Sequence, residues 1–283
     1  MERNIADRLR VNIMSVRTNA RRKIITKTAL LILIVVFFSL ISLKLSAFSD
    51  QEEVFQRGVE AYEARNYDLA LESFLFLVEE GIVNAELFHN IGNTYYRQNE
   101  LGLAILNYKK GLKLQPNNRL LKNNLNYLLA LTKDRQTTEE TNPFLLILHR
   151  IVFALSLNSL FLLTLFIILL IVLVINTLII YYKNNERTVP LFILSLLIVL
   201  FLLSGTVSLY RWRDYKDDSE GVLISSSTTG YSGPAEDYTN LFTIHEGMII
   251  IVNIEGEDWS QITLPSGVTG WIRNDSFRRV KLE

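Results

Sequence analysis

Three long apolar runs constrain this chain more than any other feature. They occupy residues 28–43, 144–182 and 190–210 of the 283-residue sequence. A helix needs about 20 apolar residues to cross the hydrocarbon core of a bilayer, and runs of that length are typical of membrane proteins. The fold is therefore predicted to be that of a multidomain membrane protein, with separate domains between and after the runs.

The first run, 28–43, follows a basic leader over residues 1–27. Lys44 could extend this run by snorkelling, which would give a retained signal anchor over residues 28–47. The small residue Ala47 fits a cleaved signal peptide equally well, and Met14 is an alternative start that would shorten the leader. Either alternative leaves the leader in the cytoplasm and exports the chain that follows.

The second run, 144–182, is too long for one simple span. As a single helix its 39 residues would extend about 58 Å, nearly twice the hydrocarbon thickness. His149 and Arg150 interrupt it early. We therefore predict an amphipathic interfacial helix at 143–157 and a transmembrane helix at 159–182, with one strongly tilted helix as the alternative.

The third run, 190–210, fits one transmembrane helix, and a short polar loop joins it to the second. The two form a helical hairpin, so the chain before and after it faces the same compartment. Residues 1–28 carry a net charge of +6, whereas residues 50–142 carry −4 and residues 211–283 carry −5. The excess of cytoplasmic basic residues in membrane proteins then places both acidic blocks outside the cytoplasm.

Residues 50–135 contain an internal repeat with an offset of 34 residues, the period of the tetratricopeptide repeat. The copies are predicted at about 51–84 and 85–118, with a capping helix at 119–133. In this repeat, small residues let two antiparallel helices approach closely. The packing positions are small in both copies: Gly58, Ala70, Gly92 and Ala104.

The concave face of such a stack is formed by the first helix of each repeat and usually binds peptides or partner domains. Projection from Gly92 predicts four groove residues: His89, Asn93, Tyr96 and Arg97. The Asn93 amide could bond a peptide backbone, and the Arg97 guanidinium could bind a carboxylate through two hydrogen bonds. Taken singly, each residue also fits an ordinary solvated helix face; for the whole surface we favour partner binding.

Residues 218–283 change to short β-branched runs separated by turn residues. Five strands are predicted, at 221–224, 242–245, 248–254, 258–264 and 269–273, and they suggest a small all-β barrel. Trp259 and Trp271 are candidate ligand contacts, but we favour core packing for both because so small a barrel needs large apolar side chains. Tyr231 and Tyr238, in the long loop around Pro234, are predicted to be exposed contacts.

The composition favours a protein that is not an enzyme. The chain has no cysteine, which excludes disulfides, thiolate metal sites and thiol nucleophiles, and its three histidines lie in unrelated segments. No Ser/His/Asp arrangement, paired carboxylates or phosphate-binding loop rises above chance. We predict no catalytic residue, no cofactor and no metal. The acidic blocks also argue against nucleic acid, which needs a concentrated basic face.

Three phrases of the C-terminal block resemble bacterial SH3-like (SH3b) domains: Leu241-Phe-Thr-Ile-His-Glu-Gly247, Asp258-Trp259 and Gly267-Val-Thr-Gly270-Trp271-Ile272. Leader, repeat pair, hairpin and SH3-like tail together resemble the BatE proteins of the Bacteroides aerotolerance operon, most specifically in Ser232-Gly-Pro234, Phe242-Thr-Ile-His-Glu-Gly247, Trp259 and Gly270-Trp271. The resemblance implies an all-α tetratricopeptide repeat, transmembrane helices and an all-β SH3-like barrel at the bacterial inner membrane, with both folded domains periplasmic. It also implies von Willebrand A-type membrane partners, a link to a MoxR-type ATPase, and a role in oxidative or envelope stress tolerance.

Two hypotheses follow. In the first, the protein is a non-catalytic scaffold that binds partner proteins of an envelope complex through both exported domains, whose contacts reinforce each other on one anchored chain. In the second, it is a cell-wall tether whose SH3-like domain binds peptidoglycan stem peptide.

Overall fold

The computed structural model describes residues 48–134, 143–180 and 187–282. The basic leader and the first apolar run therefore lie outside the described residues. Contacts divide the chain into two units, Met1–Gln56 and Arg57–Glu283. All the packing described below belongs to the second unit.

Five helices form the N-terminal part: α1 (Phe48–Glu63), α2 (Tyr67–Glu79), α3 (Ala85–Arg97), α4 (Leu101–Leu114) and α5 (Arg119–Leu131). The turns after α1 and α3 each contain a residue in the left-handed conformation, Arg65 (φ 61°) and Asn99 (φ 64°), which are one 34-residue period apart. Helices α3 and α5 begin after Asn84 and Asn118, whose side chains accept the third N–H of each helix, again one period apart. Repeated turns and caps thus set the repeated helix lengths.

The two copies also cross their helices in the same way. A Cβ atom on Gly92 would lie 2.6 Å from Cε1 of Tyr108, and one on Gly58 would lie 2.6 Å from Cε1 of Phe74. Tyr108 follows Phe74 by one period, and both rings are buried. The second helix of each pair therefore lays an aromatic ring directly on the glycine of the first, and Ala70 and Ala104, both fully buried, complete the close approach.

Three helices follow: α6 (Pro143–Val152), α7 (Leu157–Ile180) and α8 (Thr188–Lys216). Helices α7 and α8 are long and apolar enough to cross a membrane. Thr164, near the start of α7, lies 3.5 Å (Oγ1 to Oγ) from Ser208, near the end of α8, so the two helices run antiparallel.

The bounds of these helices differ from those predicted. The helix expected over 143–157 ends at Val152, and α7 starts at Leu157 because Ser156 caps it by accepting the N–H of Ser159 at 3.2 Å. Helix α8 continues to Lys216, beyond the predicted end at 210. Hydropathy marks the part of a helix that matches the bilayer, whereas backbone hydrogen bonding continues through the polar turns that follow.

The C-terminal part is one antiparallel sheet of seven strands: β1 (Glu220–Leu223), β2 (Ser227–Tyr231), β3 (Asn240–His245), β4 (Ile249–Glu255), β5 (Trp259–Thr263), β6 (Thr269–Arg273) and β7 (Phe277–Arg279). Their order is β3-β2-β6-β5-β4-β1-β7. Ile244 of β3 and Phe277 of β7 belong to one buried cluster although their strands lie at opposite edges, so the sheet curls around its core.

The prediction of five strands was therefore wrong by two. Strand β2 is composed of serine, threonine, glycine and tyrosine, and β7 has three residues, two of them arginine. Neither shows an alternation of apolar and polar side chains. Backbone hydrogen bonds to neighbouring strands hold both in the sheet. Strand β2 pairs with β3 and β6, and β7 pairs with β1. These pairings depend on the neighbouring strands and leave no pattern in the local sequence.

The sheet packs on the repeat through a shared hydrophobic cluster. Val222 and Val280 of the β-domain are buried in the same cluster as Ala104, Ile105 and Leu125 of the repeat. Leu223, the next residue along β1, points the opposite way into the barrel core. Ion pairs flank the contact at Lys109–Glu220 and Lys113–Asp218, both 2.8 Å. The helical repeat and the barrel therefore share part of their cores.

Candidate partner-binding surfaces

His89 and Asn93, two of the predicted groove residues, lie in a hydrogen-bond network that joins three helices. The Tyr108 hydroxyl of α4 donates to Oδ1 of Asn93 at 2.6 Å. Nδ2 of Asn124, on α5, lies 2.9 Å from Nε2 of His89, whose ring stacks on that of Tyr108 with centroids 6.0 Å apart. The network fixes the orientation of the Asn93 amide, which stays only half-buried.

Arg97 and Tyr96, the other two predicted groove residues, are paired with tyrosines of the neighbouring helices. Nε of Arg97 donates to the hydroxyl of Tyr62 on α1 at 3.2 Å. The hydroxyl of Tyr96 lies 3.2 Å from that of Tyr127 on α5. The structure thus brings the four predicted residues together with three that sequence reasoning missed, Tyr62, Asn124 and Tyr127. We call these seven residues the groove surface.

The 34-residue period could have found two of the missed residues. Tyr62 precedes Tyr96 by one period, and Tyr127 follows Asn93 by one period. Asn124 has no such signal, because its role depends on its distance to His89 across the stack.

The electrostatics of the groove surface follow from its partial burial. Burial lowers the pKa of His89 below its ordinary value, which favours the neutral ring. Burial raises the pKa of Tyr108 to about 12, so its phenol remains a donor to Asn93 at physiological pH. The hydrogen bond to Tyr127 raises the pKa of Tyr96. Arg97 is therefore the cationic group of a surface whose other members are neutral.

The opposite side of the repeat is occupied by the β-domain. The backbone N–H of Gly102, in the first turn of α4, donates to a carboxylate oxygen of Glu246 at 2.6 Å. The backbone N–H of His245 donates to the Asp134 carboxylate at 2.6 Å. A carboxylate at a helix N-terminus is favourable because it meets unpaired N–H groups and the positive end of the helix dipole. These contacts fix the barrel behind α4, and the groove surface lies on the first helices of the pairs.

Comparison with known families identifies this helical region. The sequence model of the tetratricopeptide repeat family matches residues 85–118. The match coincides with the second predicted copy, while a search of curated proteins finds no significant match to this chain. The resemblance to the BatE family as a whole stays a prediction.

A second candidate surface is the outer face of the barrel. Tyr231, at the end of β2, packs edge-on against Trp259 of β5 with ring centroids 5.5 Å apart. Trp271 of β6 pairs directly with Tyr231 across the β2–β6 ladder. The guanidinium of Arg273 lies 6.0 Å from the centre of the Trp259 ring. Two tryptophans, a tyrosine and an arginine therefore share one outward face, on which the aromatic side chains are partly buried and Arg273 is exposed.

This arrangement corrects two expectations. Trp259 and Trp271 were expected in the barrel core, but strand alternation turns Ser260, Ile262 and Ile272 inward and the two indoles outward. The core is filled instead by aliphatic side chains and Phe277. Tyr231 belongs to strand β2 rather than to the long loop, whereas Tyr238 lies in that loop and is half-exposed.

Within residues 48–134, 143–180 and 187–282, no three histidine, aspartate or glutamate side chains are grouped in a way that could hold a metal ion.

Proposed function

We propose that this protein is a non-catalytic, membrane-anchored scaffold that binds a partner protein through its tetratricopeptide repeat. The observation that carries the proposal is the groove surface, where seven polar and aromatic side chains from the alternate helices α1, α3 and α5 are pre-ordered by hydrogen bonds and remain partly or fully exposed. Pre-ordered side chains lose little conformational entropy on binding, so such a surface gains affinity. The apolar hairpin α7–α8 anchors this surface at a membrane.

The finer part of the proposal concerns partner and compartment. We propose that both folded domains lie on the periplasmic side of the bacterial inner membrane. Packing of Glu220 on Lys109 supports one common compartment for them, because two spans return the chain to the side it left. We also propose von Willebrand A-type membrane proteins as partners and envelope stress tolerance as the process, on the resemblance to BatE alone.

Site-specific crosslinking tests the scaffold. A photo-crosslinking amino acid at Arg97, on the groove surface, should capture a partner in cells, and one at the exposed position Glu72 on α2 should not. Mass spectrometry of the captured species identifies it. Equal capture at both positions, or none at Arg97 in cells that express the protein stably, would contradict the groove as the binding surface.

Cysteine labelling tests the compartment. The chain has no native cysteine, and Asn123 and Ser266 are exposed on the repeat and the barrel. Cysteines at both positions should react with a membrane-impermeant maleimide in intact spheroplasts, whereas one at Asn185, between the spans, should not. Reaction at position 185 alone would invert the topology.

The half-exposed face of Tyr231, Trp259 and Trp271 favours one alternative function, that of a cell-wall tether binding peptidoglycan stem peptide. Residues 218–283 share a core with the repeat, so the test uses the full chain in detergent. Co-sedimentation with purified sacculi that is lost in Trp259→Ala and retained in Arg97→Gln would support the tether. Sedimentation unchanged in Trp259→Ala would exclude this face.

A further inference from the structure

The buried Arg211 near the end of α8 points to a ligand site that neither repeat nor barrel explains. Arg211 is 3% exposed, and its Nε and Nη1 atoms have no hydrogen-bond partner among the described residues. The ring of Phe153, in the α6–α7 turn, lies against the guanidinium at 4.1 Å. A cation–π contact offsets part of the desolvation of a cation but supplies no acceptor oxygen, so two strong donors stay unsatisfied.

Arg211 lines a cavity of about 390 Å³ between the repeat and the hairpin. Lys113 and the polar side chains of Asn84, Gln115 and Asn158 line it as well. None of the described residues that line it carries a carboxylate. Asp214, three residues beyond Arg211, lines the neighbouring cavity, and its negative charge also acts on the Arg211 guanidinium. Because the ammonium of Lys113 is already paired with Asp218, the guanidinium of Arg211, two of whose N–H donors have no partner among the described residues, is the group in this cavity that would be satisfied by an anion.

The position of the cavity indicates where that anion comes from. Arg211 directly follows the apolar run 190–210, at the level where the hydrocarbon of a bilayer gives way to headgroups. Aromatic residues of the kind found at membrane interfaces lie next to the cavity. The ring of Trp212 stacks on that of Tyr215 with centroids 6.0 Å apart and packs edge-on against the ring of Phe161 with centroids 6.1 Å apart. Trp212 and Phe161 also line the cavity and are about half-exposed, on the side where acyl chains would lie.

We propose that this cavity binds the headgroup phosphate of an anionic phospholipid, with Arg211 donating to the phosphate oxygens. The guanidinium fork matches the geometry of a phosphate diester, and the absence of a carboxylate among the described lining residues favours a headgroup without a positive charge. Lys113 contributes charge while its ammonium is held by Asp218 at 2.8 Å. The bound lipid would fix the repeat and barrel against the membrane surface. This inference rests on the proposed membrane anchoring by α7 and α8.

The test is lipid retention by the full chain. Purified protein is reconstituted in nanodiscs of phosphatidylcholine with a minor fraction of phosphatidylglycerol, and native mass spectrometry then counts the lipids that stay bound. The wild type should retain phosphatidylglycerol in preference. Arg211→Gln should lower that retention roughly tenfold, the loss expected for a charge-assisted hydrogen bond. Arg213→Gln, on the exposed neighbouring position, is the matched control with the same change of charge and should retain the lipid as the wild type does.

Four results would overturn the proposed site: no preference for phosphatidylglycerol in the wild type, wild-type retention in Arg211→Gln, an equal loss in Arg213→Gln, or displacement of phosphatidylglycerol by inorganic phosphate at equal concentration, which would indicate a soluble phosphate. Arg211→Lys keeps the charge without the fork and should show an intermediate loss, so it serves if the glutamine variant does not fold. Failure to insert into nanodiscs would refute the membrane anchor itself, whereas insertion without lipid preference refutes only the site.

Discussion

Val222 offers the sharpest test of whether repeat and barrel fold as one body. Its side chain is fully buried, and it lies in the cluster of the repeat although the residue belongs to strand β1 of the barrel. Val222→Ala removes two carbon atoms, which costs about 1.6 kcal/mol in lost transfer energy. The cavity that remains adds a further term, so the total loss of stability is expected to be roughly 2–3 kcal/mol.

Hydrogen exchange measured by mass spectrometry on the full chain in detergent reports the stability of the repeat and of the barrel separately. A loss of about 2 kcal/mol accelerates exchange roughly 30-fold wherever exchange requires the cooperative unit to open. The acceleration should reach the amides of α4 and α5 as well as those of β1 and β4. Ser226→Ala, at an exposed position in the β1–β2 turn, is the control and should change neither region.

The comparison with Leu223→Ala decides the matter. Leu223 is also fully buried but faces the barrel core, so its truncation should accelerate exchange in α4 and α5 if repeat and barrel open as one unit, and in the sheet alone if they open separately. Faster exchange in the sheet alone for Val222→Ala, with α4 and α5 as protected as in the wild type, would refute the shared core.

Three further predictions follow from the structure. Gly92→Ala should lower the free energy of unfolding by about 1–2 kcal/mol in a thermal melt, because the cost of overpacking against the buried Tyr108 ring exceeds the gain of at most about 1 kcal/mol in helix propensity. The control Asn123→Ala, at an exposed position on α5, should be neutral or stabilising. A Gly92→Ala variant more stable than the wild type would contradict the close helix crossing. Burial raises the pKa of Tyr108 to about 12 from an ordinary 10.0, so the folded state holds that proton more tightly than the unfolded state does. The contribution of this proton to the stability of the fold is therefore complete below pH 10.0 and is lost as the pH rises towards 12. The difference in denaturant midpoint between wild type and Tyr108→Phe should shrink over that range of pH, and a constant difference would refute the assignment. Trp271→Ala should cost far less stability than Ile272→Ala, for which about 2–5 kcal/mol is expected, since the indole faces outward and the isoleucine is fully buried; equal losses in chemical denaturation would return Trp271 to the core.

The groove was predictable from sequence to the extent that it follows the 34-residue period. His89, Asn93, Tyr96 and Arg97 could be assigned to one face because a helix of known start presents residues at fixed angles. The exposure that each keeps could not be assigned, because it depends on Tyr62, Asn124 and Tyr127 from neighbouring helices. The outward orientation of Trp259 and Trp271 escaped for a related reason: composition says that a small barrel needs large side chains, but only strand alternation says which of them face inward.

Local sequence patterns were enough to predict the separate parts of this protein. Hydropathy located the two described apolar helices, the spacing of Gly58 and Gly92 located the helix crossings, and the runs of β-branched residues located five of seven strands, because each of these signals is local and periodic. How these parts pack together depends on contacts between residues that are distant in sequence. Val222 and Leu223 are adjacent apolar residues of one strand, and nothing in their order along the chain distinguishes the one that packs on the repeat from the one that fills the barrel. Likewise, the sequence presents Arg211 as an ordinary charged residue that flanks an apolar helix. In the structure the ring of Phe153, which is far from Arg211 in sequence, covers the guanidinium and shields it from water.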